Sequence, residues 1–260
     1  MQGMNPMSSV DLNSDLAEGY GPYQLTQDEA LLDVVTSANV ACGFHAGDPE
    51  IMVRTFQIAK AKGVSVGAHP GFPDLWGFGR RRIPFSTGEI ERLVAYQIGA
   101  AQALARYAGH RITYVKTHGA LGNLAEEDRE VANAVIRAVD VVDSTLVILA
   151  GPYGEQTPAA KTKGLRVVAE IYADRGYTEE GHLIARGKPG AMISDPDEAA
   201  ARVVAMAKAS AILTATGTHL PTKIESVCVH GDSPHAVESA KRVRTRLEEA
   251  GFMIAPFASA

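Results

Sequence analysis

The sequence predicts an α/β protein, a TIM-like (β/α) barrel of seven or eight strands, and three observations carry that prediction. Short apolar runs alternate with helical patterns seven times along 260 residues, and a closed barrel of this type takes about 250 residues. The runs are mostly aliphatic or β-branched and bounded by Gly, Asn, Asp or Pro, as strands buried on both faces should be. Four of the eight histidines each stand at the end of such a run. If the strands are parallel, those four imidazoles leave one end of the sheet together, the end where parallel α/β folds bind ligands. An open doubly wound sheet is the alternative, but no GxGxxG fingerprint supports its dinucleotide-binding form.

The expected strands are Val10–Asn13, Ala38–Gly43, Val64–Ala68, Ile112–Lys116, Leu146–Ala150, Arg166–Ile171 and Ser226–His230, and the terminal GFMIAPF can supply an eighth. Helix starts are written between them. Thr26–Glu29 and Ser86–Glu89 fit the S/T-x-x-E capping box, in which each side chain satisfies a free backbone N–H of the first turn. Asp48–Pro49, Asp195–Pro196 and Ser233–Pro234 each place an N-cap before a proline at the first helical position. Ile90, Leu93, Val94, Ile98, Ala101 and Leu104 fall on one face of a long helix, and Ala236, Ala240, Val243 and Leu247 do so near the C-terminus.

No linker, charge block or repeat divides the chain, so residues 1–260 read as one barrel domain with residues 1–8 a flexible lead. The connections Pro70–Pro84 and Tyr172–Ser194 are too long for routine turns. Their Trp, Arg and Tyr content reads as lids over the histidine-lined end.

Composition excludes several classes. A net charge of −5 and pI near 5.9 give no electrostatic case for nucleic acid or an anionic membrane. No apolar stretch reaches 18 residues, and the start MQGMNPMSSV lacks the regions of a signal peptide. Cys42 and Cys228 lie in expected strands and read as reduced core thiols, consistent with a cytoplasmic location.

The candidate site gathers at the strand ends. Asp15 and Glu18 are two carboxylates three residues apart, suited to acid–base work or metal ligation, with turn formation as the bland alternative for Asp15. Asn13 and Asn39 lie in strands, where a buried amide needs partners. His45 is flanked by glycines, and His69 precedes a proline that holds it extended. Of Arg80, Arg81 and Arg82, Arg80 is the favoured anion grip. Lys116 and His118 alternate by two and share a face if the strand persists. A lysine in an apolar strand needs a charge partner, and an internal ion pair to Asp15 or Glu170 is the structural alternative to a catalytic role. Asp174, Arg175 and Arg186 belong to the long lid, and His230 with Asp232 ends the seventh strand. His110, His182, His219 and His235 read as surface residues. Asp15, His45 and His69 form a possible ligand set for a divalent transition metal, although the spacing matches no compact metal motif.

The order NSDLAEGYG, ANVACGFHAGDP, GAHPGFPDLWGFGRR, VKTHGALGN, EIYADRGY with PGAMI, and VCVHGD resembles the LamB/YcsF family from about Val10 to the C-terminus. Where that family usually has VKPHGALYN, this chain has Thr117 for proline and Gly122 for tyrosine. The resemblance implies a barrel related to glycoside hydrolases and deacetylases. It also implies ATP-dependent opening of 5-oxoproline to glutamate, as the A subunit of 5-oxoprolinase with companion B and C subunits, the nucleotide carrying Mg2+ as counter-ion. In that chemistry Arg80 or Arg175 would grip the substrate carboxylate, Asp15 with His45 or His69 would handle water, and Lys116 with His118 would stabilise the oxyanion. Asn13, Asn39, Glu170, Asp174, Arg186 and His230 would complete the substrate pocket. Alanine at His45, His69 or Lys116 is then expected to abolish turnover without unfolding the chain. There is no G-x-x-x-x-G-K-[ST] loop, which favours a nucleotide site on the companion subunits. The alternatives are a metal-dependent amide hydrolase or deacetylase and a non-catalytic substrate-binding subunit; a homo-oligomer is also possible.

Overall fold

A computed structural model describes residues 9–232 and 235–259. Seven parallel strands close into a barrel: β1 (Ser9–Leu16), β2 (Ser37–Ala41), β3 (Ser65–His69), β4 (Ile112–Val115), β5 (Val147–Ala150), β6 (Val167–Tyr172) and, after a hairpin, β9 (Ser226–Cys228). Closure is made by β9 against β1, with Asp11, Leu12 and Asn13 opposite Ser226, Val227 and Cys228. The C-terminal GFMIAPF does form a short strand, β10 (Met253–Ile254), but it pairs with the start of β1 below β9 and is not an eighth stave. The hairpin, β7 (Ala211–Leu213) and β8 (His219–Pro221), is antiparallel, outside the barrel, and unforeseen in the sequence.

Among the described residues eight helices surround the staves: α1 (Asp28–Leu32), α2 (Pro49–Lys62), α3 (Thr87–Tyr107), α4 (Gly119–Glu127), α5 (Arg129–Asp143), α6 (Gln156–Thr162), α7 (Pro196–Ala209) and α8 (Ala236–Glu249). The expected caps explain several starts. Ser86 and Glu89 close a full capping box on α3, and Asp48 and Asp195 each accept two first-turn N–H groups before a proline. The Thr26–Glu29 box does not form. Thr26 instead donates to Asp28, whose other oxygen accepts from Ala17 N and Thr55 Oγ1, and α1 starts after Gln27 without a side-chain cap. The Ser233–Pro234 pair lies outside the described residues. No helix among the described residues is long and apolar enough to cross a membrane.

The main apolar core lies between staves and helices. Leu12 and Leu16 of β1 point outward into it, together with Ile90, Val94, Ile98 and Ala101 of α3 and Ala236, Ala240, Val243 and Leu247 of α8. The barrel lumen is different. Among the described residues Tyr114, Val147, Leu149 and Val168 form a small apolar cluster inside, capped by Phe257 from the C-terminal tail. The alternate residues of β1 face inward and are Asp11, Asn13 and Asp15. Asp11 accepts from the hydroxyls of Thr36, Ser37 and Ser226, so the lumen above the apolar plug is a hydrogen-bonded polar column. Gly67 gives the Tyr114 ring its place, because a Cβ there would sit 2.3 Å from the ring, and the β3–β4 register shifts at this point.

Candidate active site

The column ends at the C-terminal mouth in a charged floor. Lys116 lies one residue past β4, not within the strand as the apolar run predicts. Its ammonium is 2.9 Å from Glu170 Oε1, 3.1 Å from Asp15 Oδ1 and 3.0 Å from Cys228 Sγ, and it lies 4.8 Å from the centre of the Tyr172 ring. Both ion pairs weighed as alternatives from the sequence are therefore present at once. Burial opposes the charge on Asp15, but Lys116 and then His69 outweigh it and hold the carboxyl well below its ordinary range. Burial also works against Lys116, and Asp15 more than restores it, raising the ammonium well above its usual value. Cys228 is buried, as expected of a core thiol, yet it touches the ammonium, a contact unforeseen in the sequence.

Asn13 and Asn39 are fully buried beneath this floor. Asn13 donates to Glu170 Oε1 (2.9 Å) and Ser226 Oγ (2.8 Å), and Asn39 donates to Asn13 Oδ1 and Asp15 Oδ1 while accepting from Tyr114 OH. They hold the carboxylates in place instead of reaching the cleft. His230, two residues past β9, is clamped by Asp174, both of whose carboxylate oxygens lie 2.8 Å from Nδ1, and its ring stacks on Tyr172. Burial lowers the basicity of His230, but the Asp174 carboxylate reverses this and leaves the imidazole above its ordinary value. Ligand atoms of Asp15, Cys228 and His230 come within 4.8 Å of one another.

Beside the floor, Glu18 joins three of the four strand-end histidines. Glu18 Oε1 is 3.4 Å from His45 Nε2, 3.3 Å from His118 Nδ1 and 4.0 Å from His69 Nε2. The rings of His45 and His118 stack 3.6 Å apart, 5° from parallel. All four side chains are buried. Burial pushes His69 down to about 3 and His45 well below its ordinary value. The sequence pairs Asp15 with His45 and His69 as possible metal ligands. The fold puts Glu18 among the histidines and turns Asp15 to Lys116, leaving Asp15 Oδ1 3.6 Å from His69 Nε2. Carboxylate and imidazole donors of this kind fit a divalent metal, and Glu18 Oε1 and both nitrogens of His45 have no hydrogen-bond partner among the described residues.

A cleft of about 400 Å3 opens over Asp15, His69, Lys116, His118, Glu170 and His230. Arg80 and Arg186 reach its rim. Arg80 pairs with Asp232 at 2.5 Å and lies over the Phe78 ring. Arg81 pairs with Asp74 and Arg82 with Glu127, so the other two members of that run bind neighbouring carboxylates. Arg175 is buried and committed, donating to Ala191 O at 3.0 Å and Ile184 O at 2.6 Å. It fastens the Tyr172–Ser194 connection, which folds over the mouth through short bridges at Arg175–Met192 and Tyr177–Leu183. Among the remaining histidines, His182 lines the cleft and His110 is half-buried against Val64 O, whereas His219 and His235 are exposed. Thr117 donates to Gln156 Oε1, and Gln156 in turn donates to Glu126. At Gly122 a Cβ would meet Thr117 O at 2.8 Å, so this backbone admits no side chain there without moving.

A closed seven-stranded parallel barrel with titratable groups at its C-terminal mouth defines a barrel of enzymatic architecture. The LamB/YcsF family model matches residues 10–260, and the chain belongs to that family. It is 69% identical over 252 residues to the 5-oxoprolinase A subunit of Azorhizobium caulinodans, covering 97% of this chain and all of that protein. The crystal structure of a lactam utilization protein from Thermus thermophilus superposes with a TM-score of 0.90 at 41% identity, over 96% of this chain and all of that one. The T48 deacetylase, solved with substrate, shares the barrel at a TM-score of 0.50 and 11% identity, over 96% of this chain and 88% of that one, a likeness of fold alone.

Proposed function

We propose that this protein opens 5-oxoproline to L-glutamate in an ATP-dependent reaction, as the lactam-handling member of a complex with companion B and C subunits. The observation that carries this reading is the 69% identity to the Azorhizobium protein along the whole of both chains, far above what a shared fold requires. The cleft supplies groups for each chemical need. The lactam carbonyl must become electrophilic, water must lose a proton to add to it, and the ring nitrogen must gain one as the C–N bond breaks.

Arg80, held by Asp232 at the rim, takes the substrate carboxylate; Arg175 is already spent on two backbone carbonyls. Lys116 presents fixed positive charge at the floor for the developing oxyanion. Asp174 fixes the tautomer of His230 with the proton on Nδ1, which leaves Nε2 to accept a proton from water and return it to the leaving nitrogen. Transfer of the ATP γ-phosphoryl group to the lactam oxygen, with ADP leaving, makes the carbon electrophilic enough for water to add. Expulsion of the protonated ring nitrogen then gives a γ-glutamyl phosphate, which a second water hydrolyses to glutamate and phosphate, and this accounts for the nucleotide. With no phosphate-binding loop in this chain, the Mg2+-ATP site is assigned to the companions.

The test measures glutamate release from 5-oxoproline and ATP with this chain alone and with purified B and C subunits. Release only in the mixture is expected. No release with companions that are competent beside a different member of the family would overturn the proposal. A second reading, nucleotide-independent hydrolysis of another small amide, is favoured by the Glu18–histidine cluster. It predicts amide cleavage by the chain alone without ATP.

A further inference from the structure

The hydrogen bonds around His69 and His118 decide where their protons are. His69 Nδ1 is 2.7 Å from the carbonyl oxygen of Lys116, and His118 Nε2 is 2.8 Å from that of Phe78. A carbonyl only accepts, so both of these nitrogens carry hydrogen, and in the neutral rings His69 Nε2 and His118 Nδ1 are left with lone pairs. Those two lone-pair nitrogens face each other at 3.0 Å. Glu18 Oε1, a third acceptor, lies 3.3 Å from one and 4.0 Å from the other, and it makes no hydrogen bond among the described residues. Three buried acceptors aimed at one point require positive charge between them. One shared proton would relieve the imidazole pair and leave the Glu18 oxygen unmet.

We propose that Glu18, His69 and His118 bind one divalent transition-metal ion of the zinc type, with His45 above it as the fourth donor. Metal–ligand distances of about 2.0–2.2 Å in a tetrahedral site place neighbouring donors roughly 3.3–3.6 Å apart. The observed separations of 3.0, 3.3, 3.4 and 4.0 Å bracket that spacing. His45 stacks on His118, so its nitrogens would reach an ion shared with the other donors only after a tilt of the ring, and it would contribute least.

The surroundings are built for this cage. Ala17, which precedes Glu18, and Phe78, whose carbonyl orients His118, are two of the three non-glycine residues with positive φ among the described residues. Each costs about 1–2 kcal/mol, the kind of backbone strain that collects at functional sites. Gly71 and Gly79 press their backbones against the rings. A Cβ at Gly71 would lie 2.7 Å from His45 Nδ1, and one at Gly79 would lie 2.6 Å from His45 Cβ. His69 and His118 line the cleft, so a substrate oxygen can approach the ion from that side. Bound there, the ion would supply Lewis-acid polarisation.

The inference stands on this geometry and not on 5-oxoproline turnover, so it is tested on the full chain by metal content. Chelator-stripped protein is titrated with Zn(II) and Co(II) and read by calorimetry, elemental analysis and the visible spectrum of Co(II). One equivalent with four-coordinate Co(II) bands is expected. Folded Glu18→Gln and His118→Ala, checked by circular dichroism, should bind at least 10-fold more weakly, whereas Asp15→Asn should keep its equivalent. If those variants misfold, X-ray absorption on the Zn-loaded wild type decides, with a nitrogen and oxygen shell expected. A sulfur ligand would move the ion to Cys228 and overturn the assignment. So would an absence of uptake, or uptake unchanged in both ligand variants.

Discussion

Lys116 is the residue on which the site balances. Its ammonium is shared between two buried carboxylates, which would otherwise repel across the barrel axis. The expectation that alanine here removes activity without harm to the fold is therefore revised. Lys116→Met should cost about 3–5 kcal/mol, the usual effect of stripping one partner from a buried ion pair, and it should abolish glutamate release. Urea denaturation of the variant checks this, and an unchanged midpoint would remove Lys116 from its structural role. His45→Ala leaves no buried ion pair open, so the loss of activity without unfolding expected of it stands as a clean test. At this scale the sequence is a good guide to which residues meet and a poor guide to how they meet. Glu18 is visible as a carboxylate near Asp15, but its place among the histidines depends on the positive φ of Ala17, which nothing in the letters announces.

The connections after the staves place the groups of the candidate site, and they are held by backbone as much as by side chains. Gly47 shows this. It has φ 83°, its N–H donates to Gly19 O, and a Cβ would fall 2.6 Å from Ala41 O. Gly47→Ala combines a left-handed alanine with a backbone clash, so it should cost more than the roughly 1–2 kcal/mol of the conformation alone. It should also shift the turn carrying His45. Calorimetry reports the first effect and glutamate release the second, and wild-type values in both would sink the argument. Staves and long helices were legible because apolar periodicity and caps are local. The hairpin β7–β8 was not, since its strands of three residues carry no usable period. Nor was the failed capping box, because the Thr26 hydroxyl goes to Asp28, which Ala17 and Thr55 hold in place through contacts set by tertiary structure.

The whole barrel is organised around a polar lumen, and this makes its stability depend on pH. Asp11, near the lower end, is buried among hydroxyls; burial outweighs their hydrogen bonds and pushes its carboxyl up to about 6. A folded value above the unfolded one means that the protonated form is favoured in the native state. That contribution is complete below about pH 4 and is lost as pH rises through about 6. The difference is worth about 3 kcal/mol. Asp11→Asn should therefore gain on the wild type between pH 4 and 7, as read by urea unfolding at both values. A constant difference would contradict this.

The C-terminal tail has a consequence for engineering. β10 lies alongside Ser9 and Val10, and Phe257 plugs the lower end of the barrel. The two described ends of the chain thus lie at the pole opposite the candidate site. A short bridge could join them, with new ends opened at the exposed Ser144 and Thr145 between α5 and β5, away from the mouth, giving a circular permutant. Labels or fusions attached at the lower pole would likewise leave the cleft open to whatever docks over it.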